Sequence, residues 1–278
     1  MLRDAWRRLS VAWTVIAFCG SVWDRSRSKA IPVQACESLA SHSRIILFGL
    51  LSLAAPVAIA APSVAACPPL APALQSRALE LERGPLTARQ EPRLDAPVAG
   101  RFGLRTSEGV SRVFLALERL DDAGCQALWY RVQLPQRPNG ATGWIRADQV
   151  RPYLVSLRLH LDRSRRRLTV LRGGRVVRRL TVAVGRQSTP TPLGSFYVYE
   201  RLYLSDPRGA YGPGALGISA FSNVLTGWAQ GGPVAIHGTS HPETIGTDAS
   251  NGCVRVRNEQ MRWLLRVVVP GTPIDVLP

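Results

Sequence analysis

Residues 167 to 185 read RLTVLRGGRVVRRLTVAVG, two runs of β-branched residues set about Gly173-Gly174, and this stretch limits the possible folds most sharply. A glycine pair between such runs signals a hairpin, because the tight turn needs positive φ angles that glycine adopts without a Cβ clash. Leu180, Val182 and Val184 are expected on one face of the returning strand, with Thr181 and Ala183 on the other. Upstream, Leu157, Leu159 and Leu161 alternate with Arg158, His160 and Asp162, which predicts a half-buried strand with His160 at its surface. Earlier still, Tyr130, Val132 and Leu134 alternate with Arg131 and Gln133. Pro135 to Gly140 then supplies a turn, and Gly143-Trp144-Ile145-Arg146 begins the next strand. One helix is expected near the end of the chain. Met261, Leu264, Leu265 and Val268 fall at helical spacing behind Asn258 as N-cap, and Pro270 to Pro273 stops it before a closing strand, Ile274 to Leu277. The fold class is therefore mainly β.

A chain of 278 residues, 46% hydrophobic and 19% charged, has the composition of a globular protein with room for two modest domains beside a targeting segment. The formal charge of +16 raises nucleic acid as a partner. Against it, only Lys29 among the 35 basic residues is a lysine, a compositional bias more than a phosphate-binding pattern. The arginines are dispersed except at 163–167 and 178–179, where they flank strands, and no helix-turn-helix or aromatic-interleaved basic stripe is present. Nucleic acid is excluded as a partner; a basic surface suits an anionic wall or membrane face.

Residues 1–66 are read as a targeting region. Ile45 to Ala66 is uncharged and mostly apolar behind Arg44, and Ala58-Ile59-Ala60 offers a small-x-small cleavage site. Val64-Ala65-Ala66-Cys67 also resembles a lipoprotein box, in which Cys67 would carry lipid. Pro56 and Pro62 count against a long spanning helix. A second apolar run, Val11 to Val22, is explained if translation starts later, Val33 being one position. The protein is expected to be exported to the cell envelope, with the membrane involved only through an N-terminal anchor or lipid. Residues 67–85, rich in Pro, Ala and Leu, read as a linker, 86–152 as a small β domain and 153–278 as a second domain. In an oxidising compartment Cys67 and Cys125 could pair, leaving Cys253 free.

The chemistry concentrates in residues 236–257, IHGTSHPETIGTDASNGCVRVR. His237 and Cys253 stand 16 residues apart, followed and preceded respectively by Gly238 and Gly252. A thiol is mostly protonated at neutral pH and needs a base or cation beside it to act as a nucleophile; imidazole is the usual partner. On residue types alone, a lone cysteine and a lone histidine are more often a buried small hydrophobe and a satisfied core histidine. They also allow a metal set of His237, His241, Asp248 and Cys253, which Pro242 and Gly246 weaken by denying these residues a common helical face.

His237-Gly238-Thr239, Ile245-Gly246 and Ser250-Asn251-Gly252-Cys253-Val254-Arg255 together resemble the active-site signature of the L,D-transpeptidases, whose catalytic domain is of the YkuD type. The resemblance extends upstream through 184–198 and 211–224 and covers residues 153–277. It implies a β-sandwich with a short helix after the cysteine, no cofactor and no metal. Cys253 is implied as the nucleophile and His237 as its base, oriented by a backbone carbonyl near Gly238, with amides around Gly252 and Cys253 facing an oxyanion. Arg255, Ser250 and Tyr211 become candidate substrate contacts, each with a plainer structural role open to it. The implied reaction takes an acyl group from a peptidoglycan stem peptide, releases D-alanine and forms a 3→3 cross-link; water as acceptor would make a carboxypeptidase. Many members have histidine where this chain has Asn251, which leaves a catalytically silent wall-binding protein as a rival, and a zinc hydrolase as a third. Residues 129–150, WYRVQLPQRPNGATGWIRADQV, resemble the end of a bacterial SH3-like wall-associated domain, which implies wall contact through the small β domain.

Overall fold

The computed structural model describes residues 67–227 and 232–278. The expected targeting region lies outside them, apart from Cys67. Seven strands form the first sheet: β1 (Ser76–Leu81), β2 (Leu86–Arg89), β3 (Val98–Phe102), β4 (Val113–Asp121), β5 (Ala127–Gln133), β6 (Thr142–Arg146) and β7 (Val150–Val155), ordered β3-β2-β6-β5-β4-β1-β7. The stretch read as a linker thus supplies β1, paired on both sides by β4 and β7. Prolines on either side masked it, and its burial follows no strict alternation, since Ala78 and Leu79 are both fully buried. The expected domain boundary at 152/153 falls inside β7.

The second sheet contains β8 (Leu157–Asp162), β9 (Arg167–Arg172), β10 (Arg175–Thr181), β12 (Gly194–Tyr203), β13 (Gly214–Phe221), β14 (Pro233–His237), β16 (Val254–Arg255) and β17 (Pro273–Leu277), ordered β10-β9-β8-β17-β12-β13-β14-β16. A separate parallel pair joins β11 (Val184–Gly185) to β15 (Asp248–Ser250). The single α-helix among the described residues, α1, runs Asn258–Val267 and packs Met261, Leu264 and Leu265 into the core. The fold is mainly β with one short helix after Cys253.

The glycine hairpin is present: β9 and β10 pair antiparallel about Gly173 and Gly174, at φ 54° and 77°. Ala183 does not share the exposed setting of Thr181, with which it was expected to share a face. It is fully buried because the chain leaves β10 at Thr181, and Ala183 exchanges two backbone hydrogen bonds with Arg255. His160 is partly exposed and lies 3.3 Å from Asp275. The loop expected over 205–217 ends sooner, at β13, whose Gly214 and Gly217 sit in the sheet.

The two sheets share their interior. Ala78, Val113 and Val155 from the first sheet belong to the same core as Val198, Leu216, Ile236 and Leu264. Tyr197 Oη donates to Val113 O, and Gln133 Nε2 donates to Ser195 O at 2.8 Å. Asn139, on the β5–β6 turn, accepts from Phe221 N–H and donates to Phe221 O, both at 2.8 Å, while Arg137 donates to Ser222 O. Cys67 and Cys125 are disulfide-bonded, closing the start of the described chain onto the β4–β5 turn.

Candidate active site

Strand register places the chemistry on one face of the second sheet. β14 runs Pro233-Val234-Ala235-Ile236-His237, and its even positions, Val234 and Ile236, enter the core. Ala235 and His237 therefore face the opposite way. β16 lies parallel beside β14, with Ile236 opposite Val254 and His237 opposite Arg255. One step back along the ladder, Cys253 stands beside Ala235. His237 and Cys253 are then diagonal neighbours on one face, a relation that puts backbones roughly 7–8 Å apart and side chains within reach of each other. Both line a cavity of about 150 Å³ with Arg255, Ser250, Asn251 and Tyr211.

His237 is 5% exposed. Its Nδ1 lies 2.5 Å from Gly238 O, and a carbonyl oxygen can only accept, so Nδ1 carries the proton and Nε2 presents its lone pair. The Tyr211 ring packs edge-on against the imidazole at 4.7 Å between centroids, yet half of the residue remains exposed and it lines the cavity. Packing and cleft lining are thus combined in one residue. Gly238 is close-packed as well: a side chain there would collide with Asn258 Oδ1 and Pro213. Asn258 does not cap α1, whose N-cap is Arg257; its side chain accepts from Thr239 N–H at 2.7 Å and donates to Pro207 O. It ties the loop after His237 to the loop before β13.

Burial pushes the His237 pKa down from 6.5 to about 4; the Gly238 hydrogen bond opposes this and the Arg255 charge reinforces it. Burial also pushes the Cys253 thiol up, against a hydrogen bond with the Ala235 backbone and the charge of Arg255. Both shifts favour a neutral thiol beside a neutral imidazole. Because the unfolded chain binds the His237 proton more readily than the folded one, stability is complete above pH 6.5 and falls as pH drops from 6.5 to about 4. The loss from this group totals about 3 kcal/mol. Denaturant unfolding across that range should show a shallower slope in His237→Gln than in the wild type; equal slopes would remove His237 as the buried titrating group.

Gly252 has φ 115°, a conformation that strains any residue with a Cβ. Its N–H is donated to Ser250 Oγ at 3.1 Å, and Ser250 Oγ donates in turn to Cys253 O at 2.6 Å. The expectation that the Gly252 amide faces an oxyanion is therefore corrected: Ser250 occupies it, leaving the Cys253 amide as the donor at this turn. Ser250, 1% exposed, acts within the loop. Arg255 makes no ion pair among the described residues and faces the cavity. Asn251 is exposed at its rim.

The metal set does not converge. His241 is exposed and paired with Glu243 at 3.0 Å, and Asp248 is held by Arg166 at 2.8 Å. The sequence reading missed the Ser222–Leu225 turn. Ser222 and Leu225 line the same cavity as Cys253, but only the fold brings them there.

Residues 156–276 match the L,D-transpeptidase catalytic domain family, YkuD. The Bacillus subtilis protein YkuD is 30% identical over 125 residues, which is 45% of this chain and 68% of that protein. L,D-transpeptidase 1 of Mycobacterium tuberculosis is 31% identical over 120 residues, 39% of this chain and 45% of that one. An L,D-transpeptidase structure from Mycobacterium smegmatis aligns at 17% identity and a TM-score of 0.37, over 72% of this chain and 99% of the other. The sequence relatives carry the assignment: the chain is an enzyme of the L,D-transpeptidase family, with a YkuD-type catalytic domain at residues 156–276.

Proposed function

We propose that the protein cross-links peptidoglycan stem peptides by acyl transfer through Cys253, with His237 as the base. The observation that carries this reading is the His237 imidazole, buried, neutral and fixed by Gly238 O on the same sheet face as the only free cysteine among the described residues. Because thiol and imidazole rest uncharged, the proton moves as the sulfur attacks. His237 Nε2 takes it, a C–S bond forms to the donor carbonyl, and the Cys253 amide donates to the developing oxyanion. Collapse breaks the C–N bond to D-alanine, whose amine leaves with the proton returned by His237. An acceptor amine then attacks the thioester, loses its proton to His237 and expels the Cys253 sulfur, which recovers the proton. Arg255 contributes a positive field that lowers the thiol pKa and is free to meet a stem carboxylate.

The wider setting belongs to the same proposal. The apolar stretch behind Arg44 and the Cys67–Cys125 disulfide support export into an oxidising envelope. A disulfide at Cys67 leaves no thiol there for lipid, so soluble release is favoured over a lipid anchor. The SH3-like resemblance of residues 129–150 and the cationic character of the chain support wall contact through the first sheet.

Intact-mass analysis with a carbapenem, a suicide acyl donor for this family, should give one adduct on Cys253. Incubation with a tetrapeptide donor and an amine acceptor should then release D-alanine and yield the cross-linked dimer. No adduct would mean a silent wall-binding protein, and trimmed monomer alone would mean a carboxypeptidase.

A further inference from the structure

Past His237 the sheet ladder ends. The His237–Gly238 peptide is the last one of β14 held on both sides by backbone. Val256 N–H donates to His237 O at 2.9 Å, and Gly238 N–H donates to Gly214 O at 3.4 Å. The next peptide group, between Gly238 and Thr239, is buried and lies beyond the pairing of β14 with β13 and β16. Side chains take both of its polar ends. Gly238 O accepts from His237 Nδ1 at 2.5 Å, and Thr239 N–H donates to Asn258 Oδ1 at 2.7 Å. In a trans peptide the C=O and N–H point in opposite directions, so the imidazole and the Asn258 amide grip one rigid plane from its two sides.

Asn258 is itself fixed. It is the first residue of α1, which begins shortly after β16, the strand beside β14. Its Nδ2 donates to Pro207 O at 3.2 Å, and only one orientation of the amide serves both bonds, with Oδ1 toward Thr239. Two glycines make the space it fills: a Cβ at Gly238, or at Gly212 where φ is 60°, would strike Oδ1. Thr239 is 3% exposed, so removing Oδ1 would leave a buried donor unpaired.

We infer that Asn258 is a positioning residue for the reaction: through the Gly238–Thr239 peptide it aims the carbonyl that keeps the proton on His237 Nδ1, leaving Nε2 to accept from Cys253. The inference rests on Cys253 being the nucleophile and His237 its base. Gly238 has no Cβ to restrict its carbonyl, and the ladder no longer holds it. The Asn258 bond removes that freedom at the far end of the same plane. It also polarises the peptide, because an engaged N–H makes the C=O a stronger acceptor and the bonds in the chain reinforce one another. Imidazole, peptide and asparagine thus take the place of the third side chain that holds a catalytic histidine in one tautomer elsewhere. Asn258 lines neither cavity that Cys253 borders and touches no reacting atom.

NMR of the nitrogen-labelled full-length protein reads the tautomer, with the His237 ring signals identified by their loss in His237→Gln. At neutral pH the wild type should show Nδ1 as the protonated nitrogen and Nε2 as the unprotonated one. In Asn258→Ala the two signals should move toward each other as the Nε2–H tautomer gains population. Single-turnover acylation by a tetrapeptide donor should then slow by roughly 10–100-fold at saturation, with the half-saturating concentration little changed. Asn258→Asp keeps an acceptor for Thr239 N–H but gives up the donation to Pro207 O; it should restore the wild-type signals and most of the rate. A wild-type Nε2–H tautomer overturns the inference even if neither variant folds. Unchanged His237 signals in folded Asn258→Ala overturn it too, whatever the rate, and leave Asn258 as a tie between loops. A shifted tautomer with an unchanged rate also overturns it, as does an Asn258→Asp no better than Asn258→Ala. If no carbapenem and no donor modifies wild-type Cys253, the acyl-transfer reading itself fails, while the ring signals still decide whether Asn258 sets the tautomer.

Discussion

Cys253→Ala should abolish the acyl-enzyme. The carbapenem adduct disappears from the mass spectrum, and D-alanine release falls by about 10⁴-fold or more, to background, since Cys253 is the only free cysteine among the described residues. The fold should survive. Exchanging a partly buried thiol for a methyl removes one weak hydrogen bond with the Ala235 backbone, a change within about 1 kcal/mol by denaturant unfolding. Turnover that persists in a folded variant would refute the nucleophile assignment, because both the carbapenem and the stem donor would then be reacting elsewhere.

The second large effect is expected at His237. With the thiol pKa raised by burial, almost no thiolate exists at neutral pH, so acylation depends on a base that accepts the proton during attack. His237→Gln should slow single-turnover acylation by roughly 10²–10⁴-fold while the protein stays folded. Raising the pH should recover part of the loss as the thiolate forms without help. A rate equal to the wild type at neutral pH would point to a different base. Arg255 cannot take that role, because a guanidinium carries donors and no acceptor.

Local pattern carried much of the architecture. The alternation around Gly173-Gly174, the leucine alternation at 157–161 and the helical spacing of 261–268 each specify an element from neighbours within a few residues, and each element is present. What escaped needed partners far away in sequence. The Ser76–Leu81 strand has weak alternation between prolines, and its place between β4 and β7 comes from pairing across the sheet. Asn258 has the chemistry of an N-cap, but Thr239 and Pro207 claim its side chain. The Gly252 amide looked available until Ser250 was seen to accept from it. His237 and Cys253 stood out through the motif blocks in which they sit, since residue types and flanking glycines alone left their roles open.

The asparagine bridge at Phe221 bears on how large a piece of this chain can stand alone. Family likeness begins at residue 156, yet Asn139 satisfies both backbone groups of Phe221, just before the turn that walls the Cys253 cavity. Ala78, Val113 and Val155 fill the interior behind it. A fragment cut where the likeness starts would strip a polar brace from the cleft and open voids in the hydrophobic layer beneath. The stretch of sequence that recurs among relatives and the stretch that folds cooperatively thus have different ends. In this chain, the bracing and packing of the cleft belong to the larger one.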